Sequence, residues 1–121
     1  MINIAGFDDA VVSGKSPKTD DSVRQVLKSL PSDKFTLLLY HRPLIAKDTL
    51  GAFDLQLSGH THKGQIFPFS LVTGLFFPMQ AGYFLLPGHS ALYASRGTGT
   101  WGPPIRFLSP PEITLFDIMP Q

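Results

Sequence analysis

Three histidines follow predicted strands, and their ring nitrogens could hold a metal ion. His60 and His62 stand one residue apart in the segment SGHTHKG, and His41 follows the apolar run FTLLLY. Side chains at i and i+2 point to the same side of extended chain, so this pair converges only from a strand or a loop. Neutral imidazole binds zinc, manganese, iron, cobalt or nickel. The spacing predicts a metal site, and the alternative is that these histidines are hydrogen-bonded structure.

Glycines flank the histidine pair on both sides. We expect Gly59 to let the backbone approach closely in a turn that other residues resist, and Gly64 to release the chain after it. Three imidazoles could also complete one zinc site with an open position. The residues alone leave both a one-metal and a two-metal arrangement open.

Composition excludes several other functions. The 121 residues suit one domain and contain no cysteine, so a disulfide or a thiolate site is excluded. Ten basic and nine acidic residues are scattered along the chain, which gives no nucleic-acid-binding signal. Prolines and glycines interrupt the most apolar region, residues 66–86, so it does not predict a membrane-spanning helix. We expect this chain to be soluble, and its localisation in the cell is not predicted.

The hydrophobic pattern predicts an α/β fold with a mixed sheet and a β-rich second half. A helix is predicted over about residues 20–30, capped by Thr19 or Asp20, with apolar residues at i, i+3, i+4 and i+7. Strands are predicted at residues 2–4, 35–40, 53–58, 83–86, 91–95 and 113–118. Ligands of such sheets gather beyond the carboxyl ends of the strands, where His41 and His60 are expected.

The segments LLYHRPL, FDLQLSGHTHKGQIFPF and LYASRGTGTWGPPIRFLSPPEITLF resemble the C-terminal half of a calcineurin-like metallophosphoesterase, in a bacterial subgroup often associated with membranes. The resemblance implies that residues 1–121 are the C-terminal portion of one domain with a four-layered α/β/β/α sandwich. It implies a hydrolase that cleaves phosphomono- or phosphodiesters with water activated by a dinuclear site of two divalent ions, manganese, iron or zinc. His41 and His60 would ligate one ion and His62 the other.

Other motifs of that family do not occur in this sequence. The family pattern includes an Asp-x-His, a Gly-Asp and a Gly-Asn-His-Asp/Glu box, and the only asparagine here is Asn3. We therefore expect a fragment, inactive alone, that holds one metal ion or none and whose partner is the missing N-terminal half. The alternatives are a small metal-binding module without catalysis and an interaction unit without metal.

Weaker signals concern the substrate. Arg96 in a glycine-rich loop could hold the phosphate of a phosphoester, and a structural ion pair is the equal alternative. The aromatic residues between Phe67 and Phe84 could meet a lipid-linked substrate or a membrane, and the alternative is that they are core. Asp8 and Asp9 are given no catalytic role, because adjacent residues on a strand face opposite ways.

Overall fold

A five-stranded sheet forms the centre of the computed structural model, which describes residues 1–7, 9 and 21–119. The strands are β1 (Asn3–Phe7), β2 (Thr36–Tyr40), β3 (Leu55–Ser58), β4 (Gly82–Leu85) and β5 (Ala91–Ala94). Their order across the sheet is β1-β2-β3-β5-β4. Helices α1 (Asp21–Ser29) and α2 (Phe69–Phe76) and three short 3-10 helices (Lys47–Thr49, His62–Gly64 and Pro87–His89) complete the regular structure of the described residues. This mixed sheet with helices confirms the predicted α/β fold.

Parallel pairing brings distant strand ends to one edge of the sheet. β1, β2, β3 and β5 run parallel, and β4 joins β5 as an antiparallel edge strand. In the register of β2 and β3, Leu39 lies opposite Leu57. The residues that follow these two strands therefore leave the sheet side by side.

One face of the sheet is covered by α1. Leu27 of α1 packs against Ala5, Leu38 and Phe53, and all four are buried. Val23 and Leu30 of the apolar stripe also pack against this core, as the helical spacing predicts, whereas Val26 is 41% exposed. The proposed caps of α1, Thr19 and Asp20, lie outside the described residues.

The opposite sheet face carries apolar side chains that no described element covers fully. Ile4, Leu39, Tyr83 and Leu85 lie on this face by their register, and each is exposed. The second sheet that the resemblance implies would pack here, and within the described ranges only one sheet is present.

Two sequence predictions differ from the structure. The strand predicted at residues 113–118 is wrong, because that segment has no regular secondary structure. It packs through side chains instead: the Tyr93 hydroxyl lies 2.6 Å from Thr114 Oγ1, and the Tyr93 ring meets Phe116 edge to face. Helix α2 was not predicted, although Pro68 at its N-cap and Pro78 beyond its end bound it.

The helices of the described residues are short. α2 has eight residues and α1 has nine. Among the described ranges no helix combines the length and apolarity needed to cross a membrane.

Candidate metal centre

His41 and His60 meet at the carboxyl edge of the parallel strands. His41 follows β2 and His60 follows β3, with the backbone N–H of Gly59 donating to the His41 carbonyl at 3.0 Å. The side chains converge, so that His41 Nε2 lies 3.0 Å from His60 Nδ1. The two rings lie edge to face at 4.9 Å between centroids. This is the placement that the strand-end argument predicts for these two residues.

Two buried polar side chains fix the chain as it leaves β2. Gln56 Nε2 donates to the carbonyls of Arg42 and Leu44 and to Ser58 Oγ, at 2.9 to 3.3 Å. Ser58 Oγ in turn donates to the Tyr40 carbonyl at 2.7 Å. Only 2% of Gln56 is exposed, so water cannot replace these bonds without opening the core. The backbone on both sides of His41 is therefore held by the neighbouring strand.

Asp9 is the third residue of this group, which sequence reasoning missed. One ligand atom each of Asp9, His41 and His60 lie within 4.8 Å of one another. The Asp9 carboxylate also forms an ion pair with Arg42, with 2.8 Å between Asp9 Oδ1 and Arg42 Nε. Asp9 lies just beyond β1, the strand beside β2, so the same strand-end argument that located His41 and His60 was a signal for it.

The donor set of this group, called here the strand-end cluster (Asp9, His41, His60), fits a divalent metal ion. Two imidazoles and a carboxylate suit zinc, manganese or iron. Adjacent ligands on an ion with bonds of about 2.1 Å lie about 3.0 Å apart in octahedral geometry and about 3.4 Å apart in the tetrahedral geometry usual for zinc. The two ring nitrogens stand 3.0 Å apart, which matches the octahedral spacing and is within about 0.4 Å of the tetrahedral one. A metal ion can therefore bind here without a large rearrangement of either ring.

His62 lies outside the strand-end cluster and is held by a different set of contacts. Arg106 Nη2 donates to His62 Nδ1 at 3.1 Å, because a guanidinium can only donate. Ser109 Oγ donates to the His62 carbonyl at 2.5 Å. The Arg106 side chain also donates to the carbonyls of Gly97 and Gly99. With Nδ1 accepting this bond, neutral His62 carries its ring proton on Nε2, which can donate to a further partner.

The histidine turn concentrates left-handed backbone in residues other than glycine. His60, His62, Lys63 and Gln65 all have positive φ, between 46° and 68°. Such φ values are uncommon outside glycine and occur in strained functional turns. Thr61 anchors the turn, since its buried hydroxyl donates to the Gln80 carbonyl at 2.6 Å.

The close backbone approach expected at Gly59 is found at Gly64 instead, so the expectation for Gly59 is wrong. Gly64 has a φ of 72°, and an added Cβ would lie 2.3 Å from the Cα of Ser70 in α2. Only glycine fits there. Gly59 has no positive φ, and an added Cβ would meet nothing within 4 Å. The tight turn begins one residue later, at His60.

Both histidines of the turn favour the neutral form. Burial lowers the pKa of His60 below its usual 6.5, and the Arg42 and His41 charges act in the same direction. Burial also lowers the pKa of His62, together with the Arg106 charge. Neutral imidazole is the form that ligates a metal, so both rings are ready to bind one near neutral pH.

Arg96 has an ion pair with Glu112. Arg96 Nε lies 3.3 Å from Glu112 Oε2, and the Arg96 backbone N–H donates to Glu112 Oε1. Glu112 also accepts from the Tyr93 hydroxyl at 2.7 Å. The structural ion pair weighed for Arg96 is thus present, and contact with a substrate phosphate stays a prediction.

Several known proteins are similar to this chain in sequence. An uncharacterized metallophosphoesterase of Helicobacter pylori is 38% identical over 122 residues, covering 99% of this chain and 33% of that protein. One from Aquifex aeolicus is 35% identical, covering 95% of this chain and 44% of the relative. A transmembrane protein with metallophosphoesterase domain from Danio rerio is 35% identical, with 93% and 27% covered. No family model and no solved structure matches the chain.

The fold and the site define a class of protein. Its members have an α/β sheet with potential metal ligands at the carboxyl edge of the parallel strands. Relatives named metallophosphoesterases match nearly the whole length of this chain, which supports the calcineurin-like metallophosphoesterase superfamily as its family. The chain spans between 27% and 44% of the length of these three relatives.

Proposed function

We propose that the longer protein to which this chain corresponds is a metal-dependent phosphoesterase that hydrolyses a phosphomono- or phosphodiester. The observation that carries the proposal is the strand-end cluster, in which His41 Nε2 and His60 Nδ1 stand 3.0 Å apart with the Asp9 carboxylate beside them. Similarity to proteins named metallophosphoesterases supports the phosphoester as the bond that is cleaved.

Each histidine has a role in this proposal. His41 and His60 bind one divalent ion, with Asp9 as a further oxygen ligand, and His62 contributes a ring nitrogen to a second ion. Manganese, iron or zinc fits these donors. Two such ions, when bound, acidify a water molecule and neutralise charge that develops on the phosphoryl oxygens. Arg106 donates to His62 Nδ1 in the metal-free chain, so ligation through Nε2 requires the other tautomer of His62 and loss of this bond.

Completion of the site requires a partner half. The chain covers 33% of the Helicobacter pylori relative, and the exposed sheet face with Ile4 and Leu39 is apolar. An N-terminal half packed on that face would bury it and could bring the carboxylates that a dinuclear site needs to balance its charge. Two relatives are named transmembrane proteins, which supports a membrane-associated location for the longer protein.

A second candidate is a module that binds one metal ion without catalysis. The strand-end cluster favours it, because three ligands from this chain alone converge there. In this case the metal stabilises the fold by binding the native state only.

Both candidate functions require metal binding, so calorimetric titration of the purified chain with metal tests them together. We expect zinc to bind, and we expect His41→Ala to weaken it at least about tenfold. His89→Ala is the matched control, because His89 lies in a turn outside the cluster. Equal zinc affinity in the chain and both variants would contradict a metal role for His41.

Hydrolysis separates the two candidates. The chain is combined with the N-terminal part of a matched relative, and release of p-nitrophenol from bis(p-nitrophenyl) phosphate is followed with and without manganese. Manganese-dependent release that His60→Ala abolishes supports the phosphoesterase. Zinc binding without hydrolysis in any combination supports the one-metal module.

A further inference from the structure

An apolar cavity adjoins the histidine turn on the side away from the sheet. Its volume is 330 Å³, at the small end of the usual range of ligand pockets, about 300–1,000 Å³. His60 and His62 line one side, and Ile66, Phe69, Val72 and Trp101 supply the apolar walls. Its lining includes no lysine, arginine or carboxylate side chain. The lining, with its four large apolar side chains, favours an uncharged and apolar ligand group.

The walls of this cavity are built by specific contacts. α2 lies so close to the turn that only glycine fits at Gly64 beside Ser70. Gln65 is buried, and its side-chain amide donates to the carbonyls of Trp101 and Pro103 at 2.8 and 3.0 Å. The same amide accepts from the Trp101 backbone N–H. The turn thus fixes α2 on one side of the cavity and the Trp101 loop on the other.

We infer that this cavity binds an alkyl chain of the substrate, so that the substrates are phosphoesters of apolar alcohols. The inference rests on the proposed function, because it places the phosphoryl group at the histidines that line the cavity mouth. An alkyl chain attached to that phosphoryl group then enters between Val72 and Trp101. The cavity selects for chain length, since its volume is limited and each buried methylene strengthens binding about fourfold.

Trp101 provides the measurement, because it is the only tryptophan in the sequence and lines the cavity. Butyl, hexyl and octyl phosphate are titrated into the metal-free chain below their micelle-forming concentrations while its fluorescence is recorded. We expect the fluorescence to change and the affinity to rise about fourfold per methylene until the cavity is filled. Binding that is independent of chain length would overturn the inference.

Two neighbouring residues of α2 give a matched pair of variants. Val72 lines the cavity, whereas Leu71 beside it does not, and both side chains are more than half exposed. We expect Val72→Gln to weaken octyl phosphate binding at least about tenfold and Leu71→Gln to leave it unchanged. Val72→Phe keeps the wall apolar but fills space, so it should shift the best ligand from octyl toward hexyl phosphate. Equal losses in Val72→Gln and Leu71→Gln would overturn the inference.

Adsorption to a lipid surface is the competing outcome. Co-sedimentation with phosphatidylglycerol vesicles is measured for the chain and both glutamine variants. Vesicle binding that Leu71→Gln reduces as much as Val72→Gln, without any chain-length response to the alkyl phosphates, would assign the apolar side chains to a membrane contact and overturn the cavity inference.

Failure of this inference is distinguishable from failure of the proposed function. Metal-dependent hydrolysis of bis(p-nitrophenyl) phosphate without a fluorescence response to octyl phosphate overturns the cavity inference alone. A chain-length response that Val72→Gln removes, in a protein that hydrolyses no phosphoester with any metal, supports the cavity and overturns the proposed function.

Discussion

His60 and His62 are two residues apart in the chain, but the structure holds them by different means. The ring of His60 lies at a strand end against His41, where the sheet and buried Gln56 fix the backbone. His62 is held by Arg106 and Ser109 from a loop rich in glycine and proline. Two histidines of one short motif are therefore positioned by different parts of the molecule, His60 by the sheet and His62 by a loop.

The largest expected effect separates the two histidines by metal affinity. His60→Ala should weaken zinc binding by the chain more than about 100-fold, beyond what loss of an outer-shell contact causes. His62→Ala should change it less than about threefold, because His62 lies outside the strand-end cluster. Calorimetric titration of both variants makes the measurement. Equal losses would show that both histidines bind one ion.

The contacts of Gln56 near His60 and those of Arg106 at His62 should contribute differently to the stability of the fold. Gln56→Leu should lower the free energy of unfolding by about 1–3 kcal/mol, because it leaves buried carbonyls unpaired. Arg106→Ala should lower it by less than about 1 kcal/mol, since its bonds to the Gly99 carbonyl are exposed to water and its other partners are only partly buried. Urea denaturation of both variants checks this, and a larger loss for Arg106→Ala would reverse the comparison.

Acidification should lower the stability of the metal-free chain through the histidine turn. The folded chain has lowered pKa values at His60 and His62, so protonation favours the unfolded state. The stability they contribute is fully present above pH 6.5 and is lost as the pH falls through the lowered values. Denaturation of the metal-free chain between pH 7.5 and 5 should show this loss, and His60→Ala should reduce it. A stability that rises on acidification of this range would contradict the shifts.

The smallest expected effect concerns strain in the turn. Lys63 has a φ of 51°, and left-handed backbone costs a residue with a Cβ about 1–2 kcal/mol. Lys63→Gly should therefore raise the unfolding free energy by about 0.5 kcal/mol after the entropy cost of glycine. Lys34→Gly, at a position without positive φ, should lower it by a similar amount. Equal losses in both variants would show that the turn carries no strain at Lys63.

Sequence predicted the parts of the molecule that depend on local pattern. Helix α1 and strands β2 to β5 follow apolar spacing, and His41 and His60 follow from the rule on parallel strand ends. The contact between His62 and Arg106 joins residues 44 positions apart through a loop, so no local pattern encodes it. Asp9 was missed because it was weighed only as one of a pair with Asp8, and not for its place beyond β1.

Local sequence pattern was also insufficient to predict the structure of α2 and of residues 113–118. The apolar segment that forms α2 has too few polar positions to show a helical stripe, so flanking prolines were the only signal. Residues 113–118 alternate like a strand, yet Thr114 and Phe116 contact Tyr93 through side chains and join no ladder. Alternation predicts which side chains face the protein but not whether a partner strand is available.

The position of the metal ion can be measured in a crystal structure of the zinc-loaded chain, with anomalous scattering recorded at the zinc edge. We expect one strong peak about 2.0–2.1 Å from His41 Nε2 and His60 Nδ1, with an Asp9 oxygen completing the protein ligands. A peak at His62 or His89 that leaves His41 and His60 without zinc would contradict this expectation.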